Sequence, residues 1–253
     1  MAKTISIHSF RGGTGKSNLT ANLAVLLAAS GRRVGVIDTD IQSPGIHVIF
    51  ARKPDDVSYS LNDYLGGRCR IEQAAYDVTD AAIGAAPGKG ARLFLIPASI
   101  ETGAIAKILR EGYDVGLLNE GFHRLVAALE LDYLLIDTHP GVNEETLLSI
   151  AVSDLFLLVL RPDSQDFQGT SVTVELARRL DVAEILVVLN KTPASMDPAV
   201  LAMQVEQAYA ASVIGVLPLC EEIAELGSAG LFVNRFPQHP VSEQLRQLAR
   251  RIA

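Results

Sequence analysis

The sequence alternates between short apolar runs and longer segments with helical periodicity. The apolar runs predict strands at Thr4–His8, Arg33–Asp38, Leu93–Ile96, Tyr133–Asp137, Leu155–Leu160, Ile185–Asn190 and Val213–Val216. The segments between them predict helices that include Ser17–Ser30, Gly121–Leu129, Glu144–Ala151, Gly169–Leu180 and Val241–Ile252. Continuously apolar strands separated by helices are typical of a parallel sheet covered on both faces. We therefore expect a doubly wound α/β fold with a mostly parallel sheet, in which any ligand lies at the carboxyl ends of the strands.

The composition is that of a globular protein with a sizeable core. Of 253 residues, 49% are hydrophobic and 20% are charged, which excludes a disordered chain. We expect residues 1–253 to form a single domain, because no linker-like or low-complexity segment interrupts the alternation. The segment Ala51–Arg92 is expected to be an irregular elaboration of that domain, since Lys53–Asp56 and Gly84–Gly90 carry loop signals.

Charge and cysteine content exclude several functional classes. The net charge of −7 gives the chain no general attraction to DNA or to anionic lipid. The two cysteines, Cys69 and Cys220, exclude a disulfide framework and any four-cysteine metal site within one chain. The sequence starts without a signal-peptide pattern, and no uninterrupted apolar run reaches the ~18 residues of a membrane span. We therefore expect a cytoplasmic location.

The glycine-rich segment Phe10–Asn18 ends in Gly15-Lys16-Ser17 and lies between a predicted strand and a predicted helix. This is the context in which a phosphate loop occurs, because glycines allow the backbone to turn its N–H groups toward phosphate oxygens. Lys16 would meet the β- and γ-phosphates, Ser17 would hold Mg²⁺, and the helix N-terminus would add its partial positive charge. Phe10 replaces the first glycine of the strict motif. The alternative is a glycine-rich turn that binds nothing.

Polar side chains follow the predicted strands at the same edge. Asp38 and Asp40 are two residues apart at a strand end, so they share a face while the chain stays extended. Near a γ-phosphate, one carboxylate can orient the attacking water and another can hold a Mg²⁺-bound water. Asn190 ends a later strand and offers an amide donor and acceptor to an adenine edge. The alternative for each of these residues is a local cap or turn.

Taken together, the loop and five later segments resemble the MinD/ParA ATPases, with the MinD-like branch the most similar. The matching segments are Gly12–Ser17, Val36–Ser43, Leu93–Ser99, Leu134–Gly141, Val187–Lys191 and Ile214–Pro218. In order, they are similar to the family's deviant Walker A loop, its switch I strand end, its central strand and turn, its Walker B and switch II segment, and its two base-contacting strand ends. The agreement spans almost the full chain.

The resemblance implies a P-loop ATPase that uses ATP/ADP and Mg²⁺ and hydrolyses ATP slowly. It also implies a homodimer that forms with ATP and recruits a protein activator or cargo adaptor. Such relatives position division sites, chromosomes, flagella or other cargo, at the membrane or the nucleoid. The last predicted helix carries Arg246, Arg250 and Arg251 beside an apolar stripe, and we expect it to face the core. The sequence stops at Ala253 without the amphipathic tail of MinD proteins, so we expect weak binding to DNA and to membranes.

The family's functional residues can be assigned by position. The resemblance gives catalytic roles to Lys16, Asp40 and Arg11, with Asp40 positioning the water. It gives metal contacts to Ser17, Asp38 and Asp137, the two aspartates in the outer shell. It gives nucleotide contacts to Gly12, Gly13, Thr14, Gly15, Lys16, Ser17, Asn18, Asn190 and Pro218.

Arg11 departs from the family pattern, because this position holds the signature lysine that reaches the nucleotide of the partner subunit. The positive charge persists, and a guanidinium can contact phosphates with two N–H groups at once. It is longer and planar, however, so the geometry across the dimer differs. The alternative is that Arg11 faces solvent or its own loop. His139 follows Asp137 closely, and we expect it to have a structural role in the switch loop.

Two other functions use the same fold. A metal-trafficking or cluster-assembly ATPase needs paired cysteines beside the switch segments, and Cys69 and Cys220 do not have that spacing. An ATP-dependent biosynthetic ligase needs a pocket for a small substrate, which the sequence does not reveal.

Overall fold

The computed structural model describes residues 2–84 and 88–253, and its strands form one eight-stranded sheet. The strands are β1 (Lys3–His8), β2 (Arg33–Asp38), β3 (Tyr76–Asp77), β4 (Arg92–Ile96), β5 (Tyr133–Asp137), β6 (Leu155–Leu160), β7 (Glu184–Thr192) and β8 (Ser212–Pro218). Their order across the sheet is β3-β4-β2-β5-β1-β6-β7-β8. β3 runs antiparallel to β4, and every other described pairing is parallel. The mostly parallel, doubly wound fold is confirmed.

Helices connect the strands and cover both faces of the sheet. They are α1 (Lys16–Ala29), α2 (Ile46–Ile49), α3 (Leu61–Leu65), α4 (Thr79–Ile83), α5 (Thr102–Glu111), α6 (Val115–Ala128), α7 (Glu144–Ala151), α8 (Ser164–Arg179), α9 (Pro198–Tyr209), α10 (Glu221–Leu226), α11 (Phe232–Arg235) and α12 (Pro240–Ile252). Two 3₁₀ turns occupy Pro54–Asp56 and Ile71–Ala74.

Alternate strand residues pack into separate hydrophobic clusters. On one face, Ile5 of β1 belongs to a cluster with Leu23 of α1 and Leu245 of α12. On the other face, Leu134 of β5 packs in a cluster with Phe122 of α6, and a third cluster joins β6 and β7 to α8 and α9. Because successive side chains of a strand point to opposite faces, the central strands are buried on both sides.

The register of the central strands determines which residues meet at the carboxyl edge. Ile7 of β1 lies opposite Asp137 of β5, and Asp137 in turn lies opposite Asp38 of β2. The segment after β1 therefore leaves the sheet beside two carboxylates. The fold places the predicted phosphate loop and the predicted metal contacts at one edge.

Several helices begin earlier than the sequence predicts, because side-chain caps extend them. α6 starts at Val115 and not at Gly121, since the Asp114 carboxylate accepts a hydrogen bond from a first-turn N–H. α8 starts at Ser164 and not at Gly169, with Asp163 as its cap. Asp, Asn and Ser side chains at this position satisfy N–H groups that lack a partner within the helix.

The prediction that Ala51–Arg92 is irregular is wrong for a little under half of the segment. The segment contains α3, α4, both 3₁₀ turns and the short strand β3. Lys53–Asp56 is not simply a loop, since residues from Pro54 on form a 3₁₀ turn. These elements are only a few residues long, so they show no periodicity over a useful window. Residues 85–87 of the expected loop Gly84–Gly90 lie outside the described residues.

In the part of the chain that the structure describes, no helix combines the length and the apolar character needed to cross a membrane.

Gly169 tests the packing of the phosphate loop against α8. A Cβ atom added at Gly169 would lie 1.9 Å from Cδ1 of Phe10. We expect Gly169→Ala to lower the free energy of unfolding by about 1–3 kcal/mol, because the Phe10 ring has to move out of a packed site. Gly103→Ala is the matched control, since a Cβ there meets nothing within 4 Å. Urea unfolding checks both, and equal midpoints for the two variants would contradict this packing.

Candidate nucleotide site

The loop between β1 and α1 depends on glycine for its backbone conformation. Gly13 and Gly15 have φ values of +78° and +91°, in the left-handed region that other residues rarely adopt. α1 begins directly afterwards at Lys16. The N–H groups of its first turn therefore point into the space enclosed by the loop.

Lys16 is held beneath this loop by a buried ion pair. Its side chain is almost fully buried, and Nζ donates to Oδ1 of Asp137 at 2.8 Å. The Thr20 hydroxyl donates to the same oxygen at 3.1 Å. A buried carboxylate with two donors is well satisfied, so the pair fixes the position of the ammonium group.

Asp38 adds a second buried carboxylate beside Asp137. Burial and the negative charge of Asp137 raise the pKa of Asp38 to about 8. Its carboxylate accepts hydrogen bonds from the N–H groups of Asp40, at 3.0 Å, and Gly45, at 3.3 Å. Concentrated carboxylate oxygens are the ligands that hard cations such as Mg²⁺ prefer. The predicted metal contacts Asp38 and Asp137 are thus brought together.

Asp40, two residues after Asp38, is 9% exposed. Its Oδ1 accepts hydrogen bonds from the N–H and the hydroxyl of Ser43, both at 3.0 Å. Nε2 of His139 approaches the same oxygen to 3.9 Å. The sequence predicts a structural role for His139 in the switch loop and does not reveal this approach, because Asp40 and His139 are far apart in the chain.

A cavity of about 330 Å³ collects most of the predicted phosphate-binding residues. Its lining consists of Ser9, Gly12, Gly13, Thr14, Gly15, Lys16, Ser17, Asn18, Asp40, Ser43, Gly45, Ile49, Pro140 and Ser228. The Thr14 hydroxyl is buried and has no hydrogen-bond partner among the described residues. An unpartnered hydroxyl, a buried ammonium and a helix N-terminus suit phosphate oxygens, and the Ser17 hydroxyl with nearby carboxylates suits Mg²⁺.

A second, mainly apolar cavity of about 280 Å³ adjoins the first at Gly15 and Asn18. The predicted base contacts Asn190 and Pro218 line it, at the ends of β7 and β8. Apolar walls with a few polar groups are typical of small-molecule sites. The loop cavity suits the phosphates of a nucleoside triphosphate, and the adjoining apolar cavity suits its base.

The end of β7 also braces the loop directly. Nδ2 of Asn190 donates to the carbonyl of Thr14 at 2.8 Å, and Nζ of Lys191 donates to the carbonyl of Gly13 at 2.8 Å. Lys191 did not emerge as a site residue from the sequence, although it follows Asn190 directly. The amide of Asn190 serves the loop in this structure, and its contact with a base stays a prediction.

Arg11 turns away from the cavity toward the start of α8. Its NH1 lies 3.2 Å from Asp163 and 3.6 Å from Asp166. Arg161 pairs with the same two carboxylates, at 3.1 and 3.2 Å. The pKa of Asp163 is lowered, first by the N–H of Asp166 and then by the two arginines. In this structure Arg11 therefore forms its ion pairs within its own chain, and a contact across a dimer stays a prediction.

Two other expectations concern the cysteines and α12. Cys69 packs with the cluster on one face of the sheet and Cys220 with the cluster on the opposite face, so the two thiols do not share a site. α12 buries an apolar stripe in the core, as expected, and its Arg246 pairs with Glu243 at 3.1 Å.

Comparison with known proteins places this arrangement in a family. The family model described as ParA, NUBPL iron-transfer P-loop NTPase, matches residues 1–253. An uncharacterised ATP-binding protein of Methanocaldococcus jannaschii is 27% identical, over 100% of this chain and 88% of the relative. The septum site-determining protein MinD of Bacillus subtilis is 26% identical, over 100% of this chain and 89% of the relative.

Other matches extend the range of relatives. An iron-sulfur cluster carrier protein of Saccharolobus solfataricus is 28% identical, over 98% of this chain and 82% of the relative. Among solved structures, MinD of Pyrococcus horikoshii complexed with Mg-ADP superposes with a TM-score of 0.80 and 23% identity, over 100% of this chain and 96% of that chain. This likeness confirms the fold.

His8, the last residue of β1, provides a test of burial beneath the loop. Burial and the charge of Lys16 lower the pKa of His8 to about 3. In the unfolded chain a histidine binds a proton near pH ~6.5, so the unfolded state binds more protons between these values. Stability therefore falls as the pH drops from about 6.5 toward 3, by up to ~1.4 kcal/mol per pH unit from this residue.

We expect His8→Asn to flatten this acid dependence, because asparagine does not titrate. Urea unfolding of the wild type and the variant across this pH range measures the slope. His123→Asn, at an exposed position of α6, is the control and should retain the wild-type slope. An unchanged slope in His8→Asn would mean that His8 is not kept neutral by burial.

Proposed function

Because the chain belongs to the ParA family of P-loop NTPases, we propose that it binds ATP with Mg²⁺ and hydrolyses it slowly, as a switch for positioning a cellular cargo. The proposal treats residues 1–253 as one functional unit. The observation that carries it is the buried ammonium of Lys16, held by Asp137 at the base of the loop cavity. A buried ammonium beneath glycine-rich N–H groups forms a concavity that suits a polyphosphate.

Each part of the site has a task in this proposal. ATP supplies an anhydride that water can cleave, and Mg²⁺ offsets the charge of its phosphates. Lys16 and the N–H groups from Gly12 to Ser17 bind the phosphates. The Ser17 hydroxyl would contact the cation directly, while Asp38 and Asp137 hold its water ligands. Asn190 and Pro218 enclose the base.

Asp40 would orient the water that attacks. It sits on the wall of the phosphate cavity and has one oxygen occupied by Ser43. The other oxygen is then available to accept a hydrogen bond from water, which orients the water without a covalent step. A positioned carboxylate without further activation is consistent with slow turnover that a partner protein stimulates.

We further propose that two copies associate face to face with ATP between them. In that arrangement Arg11 would leave Asp163 and Asp166 and contact the phosphates bound to the partner subunit. An ATP-dependent homodimer presents a surface that the monomer lacks, and a cargo adaptor or activator can recognise it. Hydrolysis would then dissolve the dimer and release the cargo.

The main rival is metal trafficking. It is supported by the description of the family model and by the iron-sulfur cluster carrier among the relatives. The iron-sulfur cluster carrier is 28% identical to this chain and the septum site-determining protein is 26% identical, so sequence identity does not separate the two functions. We favour the positioning switch because Cys69 and Cys220 lie on opposite faces of the sheet, which leaves no paired thiols to hold a cluster within the chain.

Lys16→Ala tests the phosphate site. We expect the variant to lose measurable ATP binding, because it removes the one buried ammonium that the described residues place at the cavity. Isothermal titration with Mg-ATP is the measurement. Lys89→Ala is the matched control, since Lys89 also follows a glycine but lies exposed in a turn. Retained micromolar binding by Lys16→Ala would overturn the assignment of the loop.

Asp40→Ala separates binding from turnover. We expect it to bind ATP, to stop releasing phosphate and to accumulate as a dimer, because it removes the water-orienting carboxylate and leaves the phosphate contacts intact. Phosphate release and light scattering measure the two effects. Asp137→Ala should instead weaken the dependence on Mg²⁺. Normal turnover in Asp40→Ala would shift the catalytic role to another residue, with Asp137 the next candidate.

Arg11→Ala tests the contact across the dimer. Losing a charge-assisted hydrogen bond costs roughly 1.5–3 kcal/mol, and a symmetric dimer loses two of them. We therefore expect the variant to lose more of its dimerisation than of its affinity for ATP, while Arg11→Lys preserves the dimer. Arg124→Ala is the control, because Arg124 has a similar exposure, 36%, and pairs with Glu72, and neither of these residues lines the two cavities. Light scattering with ADP and with a non-hydrolysable ATP analogue gives the readout, and a wild type that stays monomeric with the analogue would refute the switch.

A further inference from the structure

Three side chains of different chemistry meet beside the apolar cavity, which Cys220 lines. Cys220 precedes α10, Glu222 lies in its first turn, and His239 caps α12. Sγ of Cys220 lies 3.1 Å from Oε2 of Glu222, and Nε2 of His239 lies 3.7 Å from Oε1 of the same carboxylate. A sulfur, an oxygen and a nitrogen thus come within 4.8 Å of one another.

We propose that Cys220, Glu222 and His239 form a binding site for a divalent transition metal, with Zn²⁺ as the ion that fits best. The site is separate from the phosphate loop and does not depend on the proposed ATPase function. It differs from the Mg²⁺ contacts at Asp38 and Asp137 in its donor atoms and in its position beyond the end of β8.

The donor set selects the class of metal. A thiolate, an imidazole nitrogen and a carboxylate oxygen are the protein ligands of Zn²⁺, whereas Mg²⁺ and Ca²⁺ prefer oxygen alone. Tetrahedral coordination with bonds of about 2.0–2.3 Å places neighbouring ligand atoms roughly 3.3–3.6 Å apart. The sulfur lies 3.1 Å from one oxygen of Glu222 and the imidazole nitrogen lies 3.7 Å from the other, and all three ligand groups lie within 4.8 Å of one another. Coordination to one ion would therefore need the side chains to close by about 1 Å.

The surroundings permit an ion to enter. Cys220 is only 9% exposed, whereas the side chains of Glu222 and His239 are 45% and 25% exposed. An ion can therefore arrive from the side of Glu222 and reach the sheltered sulfur. The Cys220 thiol donates a hydrogen bond to Glu222. When a cation binds, the thiol would release its proton to solvent, and the cation would bind the resulting thiolate.

The other ring nitrogen of His239 gives the site a distinctive signature. Nδ1 accepts a hydrogen bond from the N–H of Val241 at 3.1 Å, as the cap of α12. Coordination through Nε2 requires the ring proton on Nδ1, so this hydrogen bond would be exchanged for the metal bond. The amide signal of Val241 should shift when the metal binds.

Metal binding would also connect two elements that are distant in sequence. Cys220 and Glu222 belong to the turn and helix after β8, and His239 begins α12, which packs against β8 and α1. An ion that binds only the folded chain stabilises it by mass action. The melting temperature should therefore rise with added Zn²⁺.

The experiment uses the 253-residue chain, stripped of metal with a chelator and kept in excess Mg²⁺, which fills oxygen-only sites. Zn²⁺ affinity is measured by competition with a chromophoric chelator, and Co²⁺ is added separately as a spectroscopic probe. Thiolate coordination gives Co²⁺ a charge-transfer band in the near ultraviolet. The variants are Cys220→Ser, Glu222→Gln and His239→Asn, and Cys69→Ser is the control with the other thiol removed.

We expect one Zn²⁺ per chain and a thiolate band with Co²⁺ in the wild type and in Cys69→Ser. Cys220→Ser should lose the band, and each ligand variant should lose at least about tenfold in affinity. Asparagine still caps a helix, so His239→Asn keeps α12 intact and its loss of affinity reports coordination. Lys16→Ala should still bind Zn²⁺, which distinguishes this site from the proposed nucleotide site. Absence of the band in the wild type, or equal affinities in Cys220→Ser and Cys69→Ser, would overturn the proposal.

Discussion

A buried ion pair beneath the phosphate loop determines how the rest of the site is arranged. Removing Lys16 and Asp137 from water is costly, and their attraction offsets that cost only when the geometry is good and further donors are present. The 2.8 Å contact and the Thr20 hydroxyl meet both conditions. Because Asp137 ends β5 and Lys16 begins α1, the pair joins the sheet to the helix. β1 lies beside β5 in the sheet, so the strand order brings the two partners of this contact together.

The loop is braced from a second direction by the end of β7. Asn190 and Lys191 donate hydrogen bonds to the carbonyls of Thr14 and Gly13. Because the N–H of a trans peptide lies opposite its carbonyl, the N–H groups of these two peptides point toward the cavity. Peptide groups fixed in this way do not have to reorganise when an anion enters, and preorganised donors bind charge more strongly than mobile ones. The glycines permit the loop conformation, and contacts from the ends of β5 and β7 hold the loop in it.

Local signals explain why much of the fold was predictable from the sequence. Strands such as β2 and β5 are continuous apolar runs, and the Gly-Lys-Ser ending marks the loop without reference to the rest of the chain. The helices, 3₁₀ turns and strand within Ala51–Arg92 are not predictable from the sequence, because each is too short to show a hydrophobic periodicity. The pairing of Arg11 with Asp163 was also not foreseen, since it joins segments far apart in sequence and depends on how α8 meets the loop.

The two arginines beside α8 bear on whether Arg11 is free to act elsewhere. Asp166 is almost fully buried, so removing its last cationic partner would leave an uncompensated charge in the interior. Arg161 contacts both Asp163 and Asp166 independently, and would remain in place if Arg11 moved. The side chains of Arg11 and Asp163 are 37% and 40% exposed, and an ion pair in contact with water contributes little to stability. The departure of Arg11 would therefore cost the monomer mainly its 3.6 Å contact with Asp166, whereas a desolvated contact with phosphate in a dimer would be considerably stronger. This difference makes Arg11 suited to a contact that exists only when nucleotide and a second subunit are both present.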